Sequence, residues 1–173
     1  MSFEEKLRER ARTATDDASI VDVAEMHPRG FAAAAGAGAG AGSLAGDSLT
    51  DSSVGSALGG MGGAAAGMAA SAAARDLPLR VCVAVSADAI YLLEIGDKVG
   101  YDNLQLFATL DRGAADIEIH GRVFNRTVTL TDTSNDHVYE LEAPRFGPFK
   151  SKDLIRLLEA DESVVRADAE DAE

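Results

Sequence analysis

Leu79-Arg80-Val81-Cys82-Val83-Ala84-Val85-Ser86-Ala87-Asp88-Ala89-Ile90-Tyr91-Leu92-Leu93-Glu94-Ile95 reads as two apolar runs split by a short polar break. The first run, Leu79 to Ser86, is continuous and rich in β-branched residues, which predicts a fully buried strand. Ala87-Asp88 supplies a tight turn, and Ala89 to Ile95 returns as the hairpin partner. Everything else arranges itself around this hairpin.

Downstream, Gly96, Asp97 and Gly100 mark a loop, and Leu104 to Leu110 follows as a weaker element with Leu106 and Phe107 as expected core residues. Asp111-Arg112-Gly113 turns the chain. Asp116 to His120 alternates cleanly, placing Ile117 and Ile119 inward. Arg126 to Thr131 points Val128 and Leu130 one way and three threonines the other, the pattern of a half-exposed antiparallel strand. Asp132 to Asp136 is turn chemistry, and His137 to Glu142 forms the last strand before Pro144, Gly147 and Pro148. Ser151 is a good N-cap, and Leu154, Ile155, Leu157 and Leu158 give a helix over 151–160 one apolar face. The tail, 161–173, carries six acids against one Arg and is expected to fray into disorder.

Upstream, Phe3, Leu7 and Ala11 recur every four residues among good helix formers, predicting a short N-terminal helix with a thin apolar stripe. Ile20 to Met26 favours a strand that Pro28 and Gly30 stop. Between 30 and 74, Gly and Ala supply 29 of 45 residues. So little side-chain area cannot offset the entropy of ordering, so a flexible linker or insertion is expected. One feature points elsewhere: Gly55, Gly59, Gly63 and Gly67 recur every four residues, a helix-packing spacing used in membranes. The uncharged segment 54–74 is long enough to span a bilayer. Only Val54 and Leu58 insert favourably, however, contributing about −1 kcal/mol together.

The domain plan is therefore a helix and leader over 1–19, a first strand over 20–29, and the Gly/Ala-rich segment over 30–75. A β domain with its C-terminal helix fills 76–160, and the acidic tail closes the chain. The fold class is mainly β, an antiparallel barrel or sandwich capped by one C-terminal helix.

The chain of 173 residues carries a formal net charge of −13 and a single cysteine, Cys82. That charge argues against nucleic acid or anionic lipid as a bulk partner. One cysteine forms no intrachain disulfide, and its apolar setting predicts an inert buried thiol. The first ten residues mix both charge signs without an apolar run, favouring the cytoplasm over secretion.

Consecutive hairpins ending in one amphipathic helix resemble the pleckstrin-homology-like (PH-like) superfold, in particular bacterial PH-like domains of actinobacterial type. The residues carrying the resemblance are the Val81 to Leu93 hairpin and the ending Tyr139-Glu140-Leu141 through Ser151 to Leu158. It covers about half the chain, and Ile20 to Met26 would supply the first strand. Eukaryotic members often bind phosphoinositides through basic residues of the first strand-loop-strand. Here that loop would be Gly/Ala with two aspartates, so no binding residue carries over.

Chemistry-bearing motifs are absent: no Gly-x-x-x-x-Gly-Lys, no Gly-x-Ser-x-Gly, no His-Glu-x-x-His. Gly36 to Gly42 is repeat composition rather than a dinucleotide site. His120 and His137 are candidates for neighbours on adjacent strands, without a third ligand for a metal. One basic-aromatic constellation remains, Arg122, Phe124, Arg126, Arg145, Phe146, Lys150 and Lys152, a candidate patch for an acidic or peptide partner. The expected function is a non-enzymatic binding module for a protein or peptide, without cofactor or metal. The alternative is a membrane-associated or self-assembling protein using the glycine face Gly55, Gly59, Gly63 and Gly67, with membrane contact through 31–74.

Overall fold

A computed structural model describes residues 2–31, 72, 77–96, 102–121, 125–144 and 151–170. The chain divides into two compact units, one made of Met1–His27 with Arg80–Glu173 and the other of Pro28–Leu79. The Gly/Ala-rich segment falls in the second unit, and apart from Gly30, Phe31 and Ala72 it lies outside the described residues, as does the whole glycine face. Of that unit, the Leu77 N–H donates to the Ala72 carbonyl at 3.2 Å.

The first unit is mainly β. It runs α1 (Phe3–Thr15), β1 (Asp22–Pro28), β2 (Val81–Val85), β3 (Ala89–Ile95), β4 (Leu104–Asp111), β5 (Asp116–Gly121), β6 (Asn125–Asp132), β7 (His137–Pro144) and α2 (Ser151–Glu170). The seven strands form one sheet in the order β4-β3-β2-β1-β7-β6-β5. Two meanders, β1 to β4 and β5 to β7, thus meet where β1 lies beside β7. Within each meander the ladders are antiparallel.

The sheet is not flat. Phe107 on β4 and Tyr139 on β7 stand four places apart in the strand order, which in a flat sheet is about 19 Å. Their ring centroids are 6.4 Å apart. The sheet therefore curls back on itself.

The β2–β3 hairpin forms as its sequence predicts. The Ser86 N–H donates to the Ala89 carbonyl at 2.9 Å across Ala87-Asp88, and the Ser86 hydroxyl accepts the Ala89 N–H at 3.1 Å. Every residue of β2 is buried. Alternation splits its neighbours into two buried faces: Val23, Cys82, Ala84, Leu93 and Ile95 on one, Ala24, Met26, Val81, Val83, Val85, Ile90 and Leu92 on the other.

Helix α1 covers the first of these faces. Leu7 and Ala11 are buried in one cluster with Ile20, Val23, Cys82, Ala84, Leu93 and Ile95. The helix starts on a capping box, the Glu5 N–H donating to the Ser2 hydroxyl at 3.2 Å and the Ser2 N–H to the Glu5 carboxylate at 2.6 Å. It stops at Asp16, whose φ of 55° is left-handed. Arg12 then ties the helix to the segment leading into β1, its guanidinium donating to the Ile20 carbonyl at 2.6 Å.

In the second meander Ile117, Leu130 and Tyr139 align in one buried row, and Val128 and Leu141 in the next. Helix α2 lies against β5 and buries Leu154, Ile155 and Leu158. It runs through Glu170, ten residues past the expected end at Ala160. No Gly or Pro interrupts 151–173, and Ala, Arg and Glu are good helix formers.

The expectation that Leu106 and Phe107 are core residues is corrected. They are 41% and 38% exposed, whereas Leu110 on the same strand is buried. A β-bulge is the reason: Leu92 faces Ala108 and Leu93 faces Leu106, so Phe107 is an extra residue without an opposite number.

Two outcomes test this fold. Leu7→Ala lowers unfolding stability by about 2–4 kcal/mol in a denaturant titration, because α1 closes a core face rather than lying in solvent. At the α1–β1 turn, the Asp17 carboxylate accepts from the Ser19 hydroxyl at 2.6 Å, the Ser19 N–H at 2.7 Å and the Tyr91 hydroxyl at 2.8 Å. These bonds, Ser19 foremost, pull its pKa down to about 2. A depressed carboxylate stabilises the fold above the ordinary carboxylate range, and that contribution disappears as pH falls through 2. Ser19→Ala raises the Asp17 pKa in a carbon-detected NMR titration.

Candidate functional site

Of the basic-aromatic constellation, only Arg126 and Lys152 lie among the described residues. Arg126 sits on β6 and donates to the Glu159 carboxylate of α2 at 2.7 Å. It ties the helix to the sheet. Lys152 is exposed in the first turn of α2. Arg122, Phe124, Arg145, Phe146 and Lys150 fall outside the described residues. The histidines do not pair: β6 separates His120 on β5 from His137 on β7, and His27 is on β1. His120 lies 3.6 Å from Glu118 on its own strand. No group of three metal-ligating side chains assembles among the described residues.

The surface that does stand out is the outer edge of β4. In an antiparallel ladder, residues alternate between exchanging bonds with the neighbour and pointing them away. The Arg112 N–H donates to the Asp88 carbonyl at 2.9 Å, and the Gly96 N–H to the Asn103 carbonyl at 3.2 Å. Counting from these two bonds, Leu110, Ala108 and Gln105 bond to β3, while Leu104 and Thr109 direct their N–H and C=O groups outward. Asp111 agrees with this phase, since its carbonyl turns away from β3 to accept the Ala115 N–H at 2.8 Å. β4 ends the strand order, so no described strand takes up these outward groups.

Edge strands are commonly short or protected by Lys or Pro. β4 is eight residues, Leu104-Gln105-Leu106-Phe107-Ala108-Thr109-Leu110-Asp111, with neither Lys nor Pro. Its bulge brings out Phe107, and the ring is tilted by 60° against that of Tyr139. Tyr139 also meets the His137 ring in a tilted contact, centroids 4.6 Å apart. Phe107, Tyr139 and His137 form an aromatic row beside a strand whose outward backbone groups meet no further strand among the described residues. Burial pushes the Tyr139 hydroxyl pKa up, with Asp132 adding to the shift.

No family model, curated protein or solved structure matches this chain.

The charges near this edge are mostly acidic. Asp111, Asp116 and Asp136 are exposed at the end where β4 turns into β5. The β6–β7 turn reaches the same place, the Thr133 hydroxyl donating to the Ala114 carbonyl at 2.8 Å. Among the described residues the cation there is Arg112, which donates to the Ser86 carbonyl at 2.6 Å. In the β6–β7 turn, Asp132 accepts from the Ser134 hydroxyl and N–H, which hold its pKa below the ordinary carboxylate value.

Sequence reasoning overlooks this edge because a bulge has no residue signature. The one clue is negative: an apolar strand bearing no gatekeeping Lys or Pro.

The Phe107–Tyr139 contact has a direct readout. Phe107→Ala opens Tyr139 to water and lowers its hydroxyl pKa, seen by ring-carbon NMR with Tyr139→Phe fixing the assignment. Because folding holds Tyr139 neutral to higher pH than the unfolded chain does, native stability declines as pH rises above the ordinary tyrosine pKa, and less so in Phe107→Ala.

Proposed function

We propose that this protein is a non-enzymatic binding module of PH-like architecture that engages a protein or peptide through the outer edge of β4. The observation that carries the reading is the exposure of Leu106 and Phe107 on a terminal strand whose Leu104 and Thr109 backbone groups point outward. Exposed apolar side chains beside unpaired strand groups are the two components of recognition by strand addition. The PH-like part rests on the strand order, a four-strand meander followed by a three-strand meander and a helix packed on β5.

Immobilised wild-type chain and an L106D/F107D variant, matched by circular dichroism, test the reading when exposed to the same cell extract. The expected outcome is at least one protein retained by the wild type and released by the variant. Identical retained sets overturn the edge as the contact surface. A turnover abolished by a single carboxylate or histidine substitution overturns the non-enzymatic reading.

A further inference from the structure

An extended segment that adds to β4 meets two different environments. Along the strand it meets Leu106 and Phe107, with the Tyr139 ring beside Phe107 and His137 beside Tyr139. At the β4–β5 turn it meets Asp111, Asp116 and Asp136, exposed and facing water, against one described cation, Arg112, which donates to the Ser86 carbonyl. The other end of β4 carries Asp102, whose carboxylate is matched by Arg10 of α1 at 2.6 Å. Among the described residues the excess of negative charge, three carboxylates against the one guanidinium of Arg112, is therefore at the turn end.

A second copy of this chain fits that edge poorly. Pairing β4 with β4 antiparallel would bring a chain of net charge −13 against another. It would also leave both turn-end acid clusters without a counter-charge. Like charges close to an interface select against a partner, and opposite charges select for it.

We propose that β4 accepts, as an eighth strand, an extended cationic segment of a partner protein, with apolar side chains at alternate positions and Lys or Arg toward the β4–β5 turn. This rests on the binding-module reading and adds to it the chemistry of the partner. Main-chain bonds at Leu104 and Thr109 supply the docking geometry. Leu106 and Phe107 take the apolar side chains, and the turn-end acids set charge selectivity.

The test uses the full chain, labelled for amide NMR, with three capped nine-residue peptides. Valine occupies alternate positions, and the intervening positions are all Lys, all Glu or all Ser. The Lys peptide is expected to shift resonances across 104–111 and to slow hydrogen exchange of the Leu104 and Thr109 amides. The Leu110 amide, already bonded to β3, changes little. Its affinity should exceed that of the Ser peptide by about tenfold at low salt and converge with it as salt rises.

D111N/D116N keeps the side-chain oxygen that accepts the Gly113 N–H at 2.9 Å. It should weaken the Lys peptide by about fivefold and leave the Ser peptide unchanged. Equal binding of Lys and Glu peptides overturns the cationic partner. Lys-peptide binding without protection at Leu104 and Thr109 overturns strand addition. A concentration-dependent dimer in sedimentation that L106D/F107D abolishes makes a second copy the occupant and also overturns the proposal. Binding of none of the peptides overturns it too, while the extract comparison decides separately whether the edge binds anything.

Discussion

The structure depends on β2 being buried on both faces. A strand of alternating small and medium apolar residues, Val81-Cys82-Val83-Ala84-Val85, has no side to give to water. Two separate elements must therefore cover it. The curled sheet encloses one face, and α1 lies on the other. Ala84 and Ala11 matter here as much as the larger residues, because small side chains on both partners let a helix with only a thin stripe approach a sheet closely. At about 25 cal/mol per Å² of apolar surface removed from water, a face left open would cost several kcal/mol, enough to unfold a domain of this size.

Within that dry face sits one charge. Glu25 is 2% exposed and meets Arg80 through two contacts, at 2.7 and 3.2 Å. Such a pair adds little net stability, because desolvation consumes most of the attraction, but removing one partner strands the other. Its value lies in position. Arg80 immediately precedes β2, and Glu25 faces Cys82 in the β1–β2 register, so the pair opposes a shift of β1 along β2. Cys82 lies beside it, wholly buried, and burial pushes its thiol pKa up. A thiol held neutral and out of reach is unreactive, in line with its reading as a small core residue.

What the sequence made legible follows from locality. The hairpin at Ala87-Asp88, the alternation at Ile117 and Ile119, and the turn over Asp132 to Asp136 are all encoded by residues a few positions apart. The structure reproduces them nearly to the residue. The Ser2-x-x-Glu5 capping box was equally readable and signals a better-formed helix than the thin stripe of Leu7 and Ala11 alone. What escaped depends on distant or inserted residues. The Asp17–Tyr91 bond spans 74 positions. Strand order put β6 between His120 and His137, and no local pattern announces that order. The Phe107 bulge moved Leu106 and Phe107 from core to surface, because one extra residue reverses the inside-outside alternation that pattern reading relies on.

Excess acid and an unguarded edge are connected. A long apolar edge strand invites the chain to pair with itself, and proteins usually prevent this with charge on the strand. On β4 itself the one charged side chain is Asp111, at its end. Protection must then come from the bulge, which spoils flat pairing, and from the charge of the whole molecule, which repels identical copies at a distance. These two devices differ from a gatekeeping lysine in one respect. A lysine on the strand would block every partner, whereas net negative charge blocks only negative ones. For an edge defended in this way, the distribution of carboxylates that disfavours pairing with its own copies favours the cationic strand proposed above.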